Sequence, residues 1–354
     1  MADTTPVVNI SLDDLFQNTA AGPTSIAIAN NLYGINHRQQ PNAIPINKDN
    51  YGLTFFTRPQ LNLFDDNIRN VRQFTPLMST NNIGYHRVAR CTLDPRLAYG
   101  HGKYQPIDSP LVDSRQAFIP ILTNTLKSVA GWPDLLIPTA TSKPGVYQEA
   151  HTMVDGIALN YTAYDIDTTF RSTRGDLVMA LLQYWEQYQS FVMEGLLLPY
   201  PDFITENEID YNTRIYRLIL DPSKTTVQAI AACGAAFPSS LPIGGKFAYS
   251  SDKPFNDTNA DINIRFSCNG FMYQDDILIH EFNKVVGIFN PSMRDAKRNA
   301  EMIQVRPNLL PLFNNRGYPH IDIDSYELEW YVTASDYATK IGAIDKFNSA
   351  LAIA

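Results

Sequence analysis

Between Gly175 and Gly195 the residues Leu177, Leu181, Tyr184, Tyr188 and Phe191 recur at spacings of four, three, four and three. On a helix of 3.6 residues per turn they fall on one stripe, which Trp185 and Val192 widen. The spacing predicts one long helix over 176–195, stopped before Pro199 and Pro201 force extended backbone. A stripe that apolar has to be buried, and the flanking sequence supplies a sheet to bury it against.

Ile157, Leu159 and Tyr161, then Tyr164, Ile166, Thr168 and Phe170, alternate with period near two and one phase slip. Arg214–Leu220 alternates likewise, Lys246–Ser250 is short, and Ile262–Tyr273 sets Ile262, Ile264, Phe266 and Cys268 on one face. Each run is bounded by Pro, Asn, Asp or Gly, the punctuation of antiparallel strands. Tyr51–Phe56 reads as an opening strand ended by Pro59, Tyr85–Leu93 as a second strand and Ile321–Val332 as an alternating strand near the end. Shorter helical patterns cover Phe118–Val129, Ser292–Met302 and the residues from Ser335. The expected class is α+β, mainly β, with antiparallel sheets and one long helix packed across them. The expected organisation is an extended, Asn-, Thr- and Pro-rich arm over 1–50, first strands over 51–93 and an irregular insertion over 94–150. A core over 151–283 and a C-terminal extension over 284–354 complete it.

Composition narrows the function classes. Over 354 residues, 44% hydrophobic and 18% charged exclude disorder and coiled coil. The net charge of −8, from 28 basic against 36 acidic side chains, leaves no general basic surface for phosphates. Cys91, Cys233 and Cys268 have no CxxC spacing, and their odd number argues against a disulfide framework and for a reducing compartment. Met1–Asn18 lacks an apolar signal core, and no run approaches the ~18 apolar residues of a membrane span, so no membrane association is expected.

Signatures of common enzymes are absent: no phosphate loop with its lysine, no GxGxxG, HExxH or GxSxG. Six scattered histidines, none three or four residues from another, give no metal spacing. His320, Asp322 and Asp324 would share one face of a strand and could form a metal site or an acid–base pair, as in a glycan-cleaving or glycan-binding protein. A half-buried strand with a wet polar face explains them more simply. Gly244-Gly245 reads as a turn, and the Tyr184, Trp185, Tyr188 set as core packing rather than a stacking platform. No catalytic, cofactor or metal residue is assigned, and the chain is expected not to be an enzyme.

One constellation does point to a family. A strand Ile215–Asp221 carrying Arg217 and Leu218 precedes the run Ala235, Ala236, Phe237, Pro238, Ser239, Ser240. A short segment with Phe247 and Tyr249 follows, then Asp261–Tyr273 with Ile264, Phe266 and a terminal Tyr273. This order resembles the tail tube proteins of contractile-tailed bacteriophages, over about 155–283. The length and the polar arm before Tyr51 are similar to the larger tube initiators of the baseplate. The resemblance implies a β-sandwich or barrel of the tube type, with Phe237-Pro238 as a turn and Phe247, Tyr249, Ile264 and Phe266 in the core. It implies six copies in a hexameric ring at or near the baseplate, with the helix outside and the DNA channel passing through without specific binding. Adjoining tube or baseplate rings are the implied partners, with sheath or sheath initiator as a further candidate; the implied location is the virion tail, after assembly in the host cytoplasm. The repeating major tube subunit is the alternative.

Overall fold

A computed structural model describes residues 51–94, 109–157, 161–173, 175–247, 261–306, 309, 313 and 317–342. The arm over 1–50, Tyr249 and most of the predicted strand around it lie outside the described residues. The strands are β1 (Tyr51–Phe56), β2 (Leu126–Ala130), β3 (Thr139–Thr141), β4 (Thr152–Val154), β5 (Ala163–Arg171), β6 (Ile215–Leu220), β7 (Val227–Ser240), β8 (Asp261–Tyr273), β9 (Met302–Val305), β10 (Tyr318–Ile321) and β11 (Leu328–Thr333). The principal helices are α1 (Tyr85–Leu93), α2 (Pro120–Thr125), α3 (Leu177–Met193), α4 (Pro201–Glu206), α5 (Ile277–Phe289) and α6 (Asp295–Glu301).

Six strands form one open sheet in the order β1-β6-β7-β8-β5-β2, and β10-β11-β9 and β3-β4 form two smaller sheets. The architecture is α+β with antiparallel pairing, as the alternation predicts; the expected barrel is not closed within this chain. The fold divides into two compact units, one of 54–216 with 231–302, the other of 1–53, 217–230 and 303–354.

In the first unit β5 and β8 pair antiparallel over nine positions, from Ala163↔Asn269 to Arg171↔Asp261. Ile166 and Phe170 of β5 and Ile262, Ile264 and Phe266 of β8 point to one core, and α3 adds Leu181, Tyr184, Trp185 and Tyr188 to it. The predicted stripe is therefore buried, but more broadly than drawn, since Val178 and Leu182 also sit in the core. Each large apolar side chain so buried contributes about 1.5–3 kcal/mol. The Trp185 indole N–H donates to the Tyr211 carbonyl at 2.8 Å, so its polar atom is satisfied in the core.

β8 changes phase where Gly270, at φ +70°, interrupts its alternation. Opposite it on β7, a Cβ on Gly234 would stand 2.6 Å from the Asn269 carbonyl, so only glycine lets the two backbones approach there. On the other face of β1, Phe55 meets Phe118 and Phe282 at 5.0 and 5.3 Å, and Tyr216 meets Phe282 at 5.4 Å. Consecutive residues of a strand point to opposite faces. Phe56, 5.5 Å from Phe266, serves the α3 side, while Phe55 serves α5.

Several expectations need correction. Tyr85–Leu93 is helix α1, not a strand; Ala89, Cys91 and Leu93 are buried together with Arg90 and Thr92. A short apolar run does not by itself separate a buried strand from a buried helix. The helix expected over 118–129 spans only α2, after which the chain becomes β2. The strand expected over 321–332 is a hairpin, β10 paired with β11 from Tyr318↔Tyr331 to Ile321↔Leu328. Helix α5 stands where no helix is expected above. In the second unit Val305, Phe313 and Val332 form a small core. There Thr226 bridges Glu327, so the start of β7 is tied to the β10–β11 hairpin.

Candidate assembly surfaces

The residues expected to mark the tube motif are placed as follows. Ile264 and Phe266 lie in the core, and Tyr273 donates to the Pro133 carbonyl at 2.6 Å. Phe237 and Pro238 are not a turn: they lie in β7, paired with Ser267 and Phe266, immediately before a register shift at Ser240. Proline cannot donate to the ladder and is tolerated beside such an irregularity. Phe247 follows the short helix Ile243–Lys246 and is 78% exposed, so it is neither strand nor core. Of the helix residues, Leu177 is half-buried, and Phe191 packs on the core and stacks edge-on against Phe74 at 5.7 Å.

The α3 tyrosines act as anchors rather than as a platform. Tyr184 lies 2.9 Å from His86 Nδ1, and burial with the nearby Tyr85 pushes its phenol up to about 12. Tyr188 donates to the Asp210 carboxylate and accepts from the Asn62 N–H at 3.1 Å; burial and that carboxylate raise its phenol strongly. Arg58, buried, donates to the carbonyls of Cys91, Thr92, Asp113, Ser114 and Gln116, fixing the end of α1 and the segment that leads to Phe118. These groups hold elements in place.

His320, Asp322 and Asp324 do not share a strand face. His320 is buried on β10 with Glu329 3.5 Å away, and Asp322 lies beyond the strand, accepting from the Ser325 N–H and hydroxyl at 2.9 and 2.7 Å to close the turn. Among the described residues no group of three His, Cys, Asp or Glu could hold a metal, and no helix is long and apolar enough to cross a membrane. All three cysteines are buried.

What the chain presents outward is of two kinds. The open face of β2, β5 and β8 is polar, and two of its cations, Lys127 and Arg265, are engaged. Lys127 pairs with Asp261, and Arg265 pairs with Asp167 at 3.0 Å and Asp165 at 4.0 Å. Ser267 donates to Asp165 at 2.9 Å, and Thr169 to Asn263 at 2.9 Å. Hydrogen bonding to Asp167 and its charge raise the Arg265 guanidinium further above its ordinary value. With Arg171 at the strand end this face carries as many bases as acids, so it is balanced rather than acidic.

The other kind is apolar. The connection between β2 and β5 is anchored by Trp132, which packs on the core, and then continues as the β3–β4 hairpin. Its ladder runs Thr139↔Val154, Ala140↔Met153 and Thr141↔Thr152, extended by the Asp155 N–H to the Pro138 carbonyl at 2.9 Å. From 134 to 157 every residue except Ala140 is exposed. These include Leu136, Met153, Val154 and Ile157, with Val146 95% and Tyr147 91% exposed at the tip. An isolated two-stranded hairpin is marginal in water, and large apolar residues exposed together mark an interaction site. The sequence signal was present in Leu135-Leu136-Ile137 and Val146-Tyr147, but the Pro and Gly residues around them hid the ladder.

The sheet ends differ. Beyond β1 the Ile119 N–H donates to the Phe56 carbonyl at 2.9 Å and the Arg58 N–H to the Ala117 carbonyl at 2.9 Å, so that edge is partly covered. Among the described residues β2 pairs only with β5, and Lys127 sits at its register shift between Leu126 and Ser128. A lysine and a bulge are devices that blunt an edge against indiscriminate pairing.

Comparisons place this arrangement. Residues 7–346 match the family described as "Putative phage tail tube protein". Solved structures with partial likeness include the tube-terminating cap of the anti-feeding prophage, 16% identical, covering 45% of this chain and 82% of that one at a TM-score of 0.26. Two come from the PVC extracellular contractile injection system in its extended state. One is its sheath/tube terminator, 15% identical, covering 45% of this chain and 88% of that one at a TM-score of 0.25. The other is its sheath–tube complex, 17% identical, covering 45% and 82% at 0.24. No curated protein matches the sequence. With nearly its whole length matched by one profile, the chain belongs to the phage tail tube protein family.

Proposed function

We propose that this chain is a non-enzymatic structural subunit of a contractile phage tail, six copies of which close a ring of the tube at or near the baseplate and continue the DNA channel. The carrying observation is the β3–β4 hairpin, whose apolar residues on strands and tip have no cover among the described residues. A neighbouring copy, or the adjoining ring, supplies that cover. The balanced face of β2, β5 and β8 suits a channel wall: with Lys127 and Arg265 held by Asp261 and Asp167, few cations stand ready to replace counterions on a passing duplex. The extra elements after β8, from α5 to β11, favour the initiator reading over a simple repeating subunit. Neighbouring tube, baseplate or sheath proteins are the partners this reading requires.

Hydrogen exchange over 138–155 tests it. The expected result is fast exchange in the isolated subunit and strong protection after assembly; equal exchange in both states overturns the hairpin's role. Counting copies per particle separates the readings, since one ring's worth means an initiator and many rings' worth the repeating subunit.

A further inference from the structure

The β3–β4 hairpin leaves backbone groups unpaired as well as side chains uncovered. Its flanking bonds, Asp155 N–H to the Pro138 carbonyl at 2.9 Å and Ser142 N–H to the His151 carbonyl at 2.8 Å, continue the register of Ala140↔Met153. Antiparallel ladders alternate bonded and non-bonded pairs, so Thr139↔Val154 and Thr141↔Thr152 are the non-bonded ones. Their N–H and C=O groups therefore point outward, those of Thr139 and Thr141 along one edge and those of Thr152 and Val154 along the other. Neither edge has a strand beside it among the described residues.

The β4 edge is also undefended. Thr152-Met153-Val154 contains no charge, no proline and no register shift, whereas the β2 edge has both Lys127 and a shift. Two strands alone are marginal in water, and a third with apolar side chains makes a sheet that lasts. An undefended edge of this kind is a template for an added strand.

The arm holds a sequence that fits it. In Val7-Val8-Asn9-Ile10-Ser11-Leu12 the residues Val8, Ile10 and Leu12 alternate with Asn9 and Ser11, between Pro6 on one side and Asp13-Asp14 on the other. The segment is uncharged and supplies the apolar side chains that the hairpin lacks. Residues 13–50 separate it from Tyr51 and span about 130 Å at full stretch, enough to reach a neighbouring copy.

Charge selects the edge and the direction. The base of the hairpin carries Asp134 and Asp155 with no basic residue in 131–138 or 155–157, while Lys143 and His151 accompany Glu149 toward the tip. Asp13-Asp14 is therefore repelled from the base and placed toward the tip, so the segment runs from base to tip. β4 runs from tip to base, which makes the addition antiparallel on β4. On β3 the same direction would be parallel, the weaker pairing.

We propose that residues 7–12 of one copy add as an antiparallel strand to the outer edge of β4 in the hairpin of a second copy. The inference rests on the ring-forming reading above, and it names the segment that covers the hairpin.

The test uses the full chain and two variants, read by peptide-level hydrogen exchange before and after assembly. In the wild type the amides of Thr152 and Val154, and those of 7–12, should exchange fast in the isolated chain and slowly in rings. Asn9→Pro with Ile10→Pro removes two successive N–H groups, one of which faces β4 in either register; Val154→Pro removes an outward N–H and spares the bonded pairs of the hairpin. Each variant should unfold at the wild-type temperature as an isolated chain and lose the protection of both segments under assembly conditions. In an equal mixture the intact edge of one variant meets the intact arm of the other, and protection at Thr152 returns in part. Wild-type rings in which Thr152 and Val154 exchange as in the isolated chain overturn the inference and leave the ring reading intact. Undiminished protection of these amides in the arm variant does the same. A mixture that restores nothing overturns the exchange between copies. A wild type that forms no ring overturns both readings.

Discussion

The β5–β8 pair and the β3–β4 hairpin are both antiparallel ribbons, yet they stand at opposite ends of self-sufficiency. The first has nine paired positions, one face closed by α3 and the other stitched by ion pairs. The second has three paired positions and exposes its apolar residues. Equal backbone chemistry with unequal burial teaches that ladder hydrogen bonds do not make a ribbon stable; apolar cover does, and none of the described residues supplies it to the hairpin.

The largest break in this contrast is Phe266→Ala. Phe266 is fully buried beside Phe56 and Ile166, and its truncation should cost about 3–5 kcal/mol in denaturant unfolding. Next is Gly234→Val, which forces a Cβ to within 2.6 Å of the Asn269 carbonyl; about 1–3 kcal/mol and a lower melting temperature are expected. A pH titration sharpens the picture in the second unit. Burial opposes ionisation of Asp221, but the Ser223 hydroxyl and the N–H groups of Thr226 and Thr225 outweigh it and hold its carboxyl below the usual value. Its contribution is therefore present above the unfolded value near 4 and is lost as pH falls through the depressed folded value. Asp221→Asn should flatten that acid limb in a stability–pH profile. Smallest on the isolated chain is Val146→Ser with Tyr147→Ser, expected within about 0.5 kcal/mol of wild type because the tip has nothing to lose until it is covered. The same double variant should abolish ring formation; if it assembles normally, the two ribbons do not differ in the way argued.

What could be read beforehand follows the same divide. β5, β6, β8 and α3 were legible because a buried face imposes a period, two for Ile262, Ile264 and Phe266, and near 3.6 for Leu181, Tyr184 and Tyr188. α5 has its own signal in Leu278, Phe282, Val286 and Phe289, at spacings of four, four and three. α1 misled because it is buried along most of its last turns, including Arg90, which donates to Asp65 at 2.6 Å and to the Leu77 carbonyl at 3.2 Å. Phe237-Pro238 has turn chemistry but belongs to a strand, where pairing with β8 overrides local preference. The assembly surfaces were the least legible: an apolar residue reads as core whether its partner is in the same chain or another one.

Negative-stain imaging of the purified full-length chain at low salt tests the central claim most directly. The account predicts closed rings with a central hole, in which the hairpin is covered by neighbours. A field of compact monomers that never closes, under conditions where the hairpin remains exposed, would contradict it.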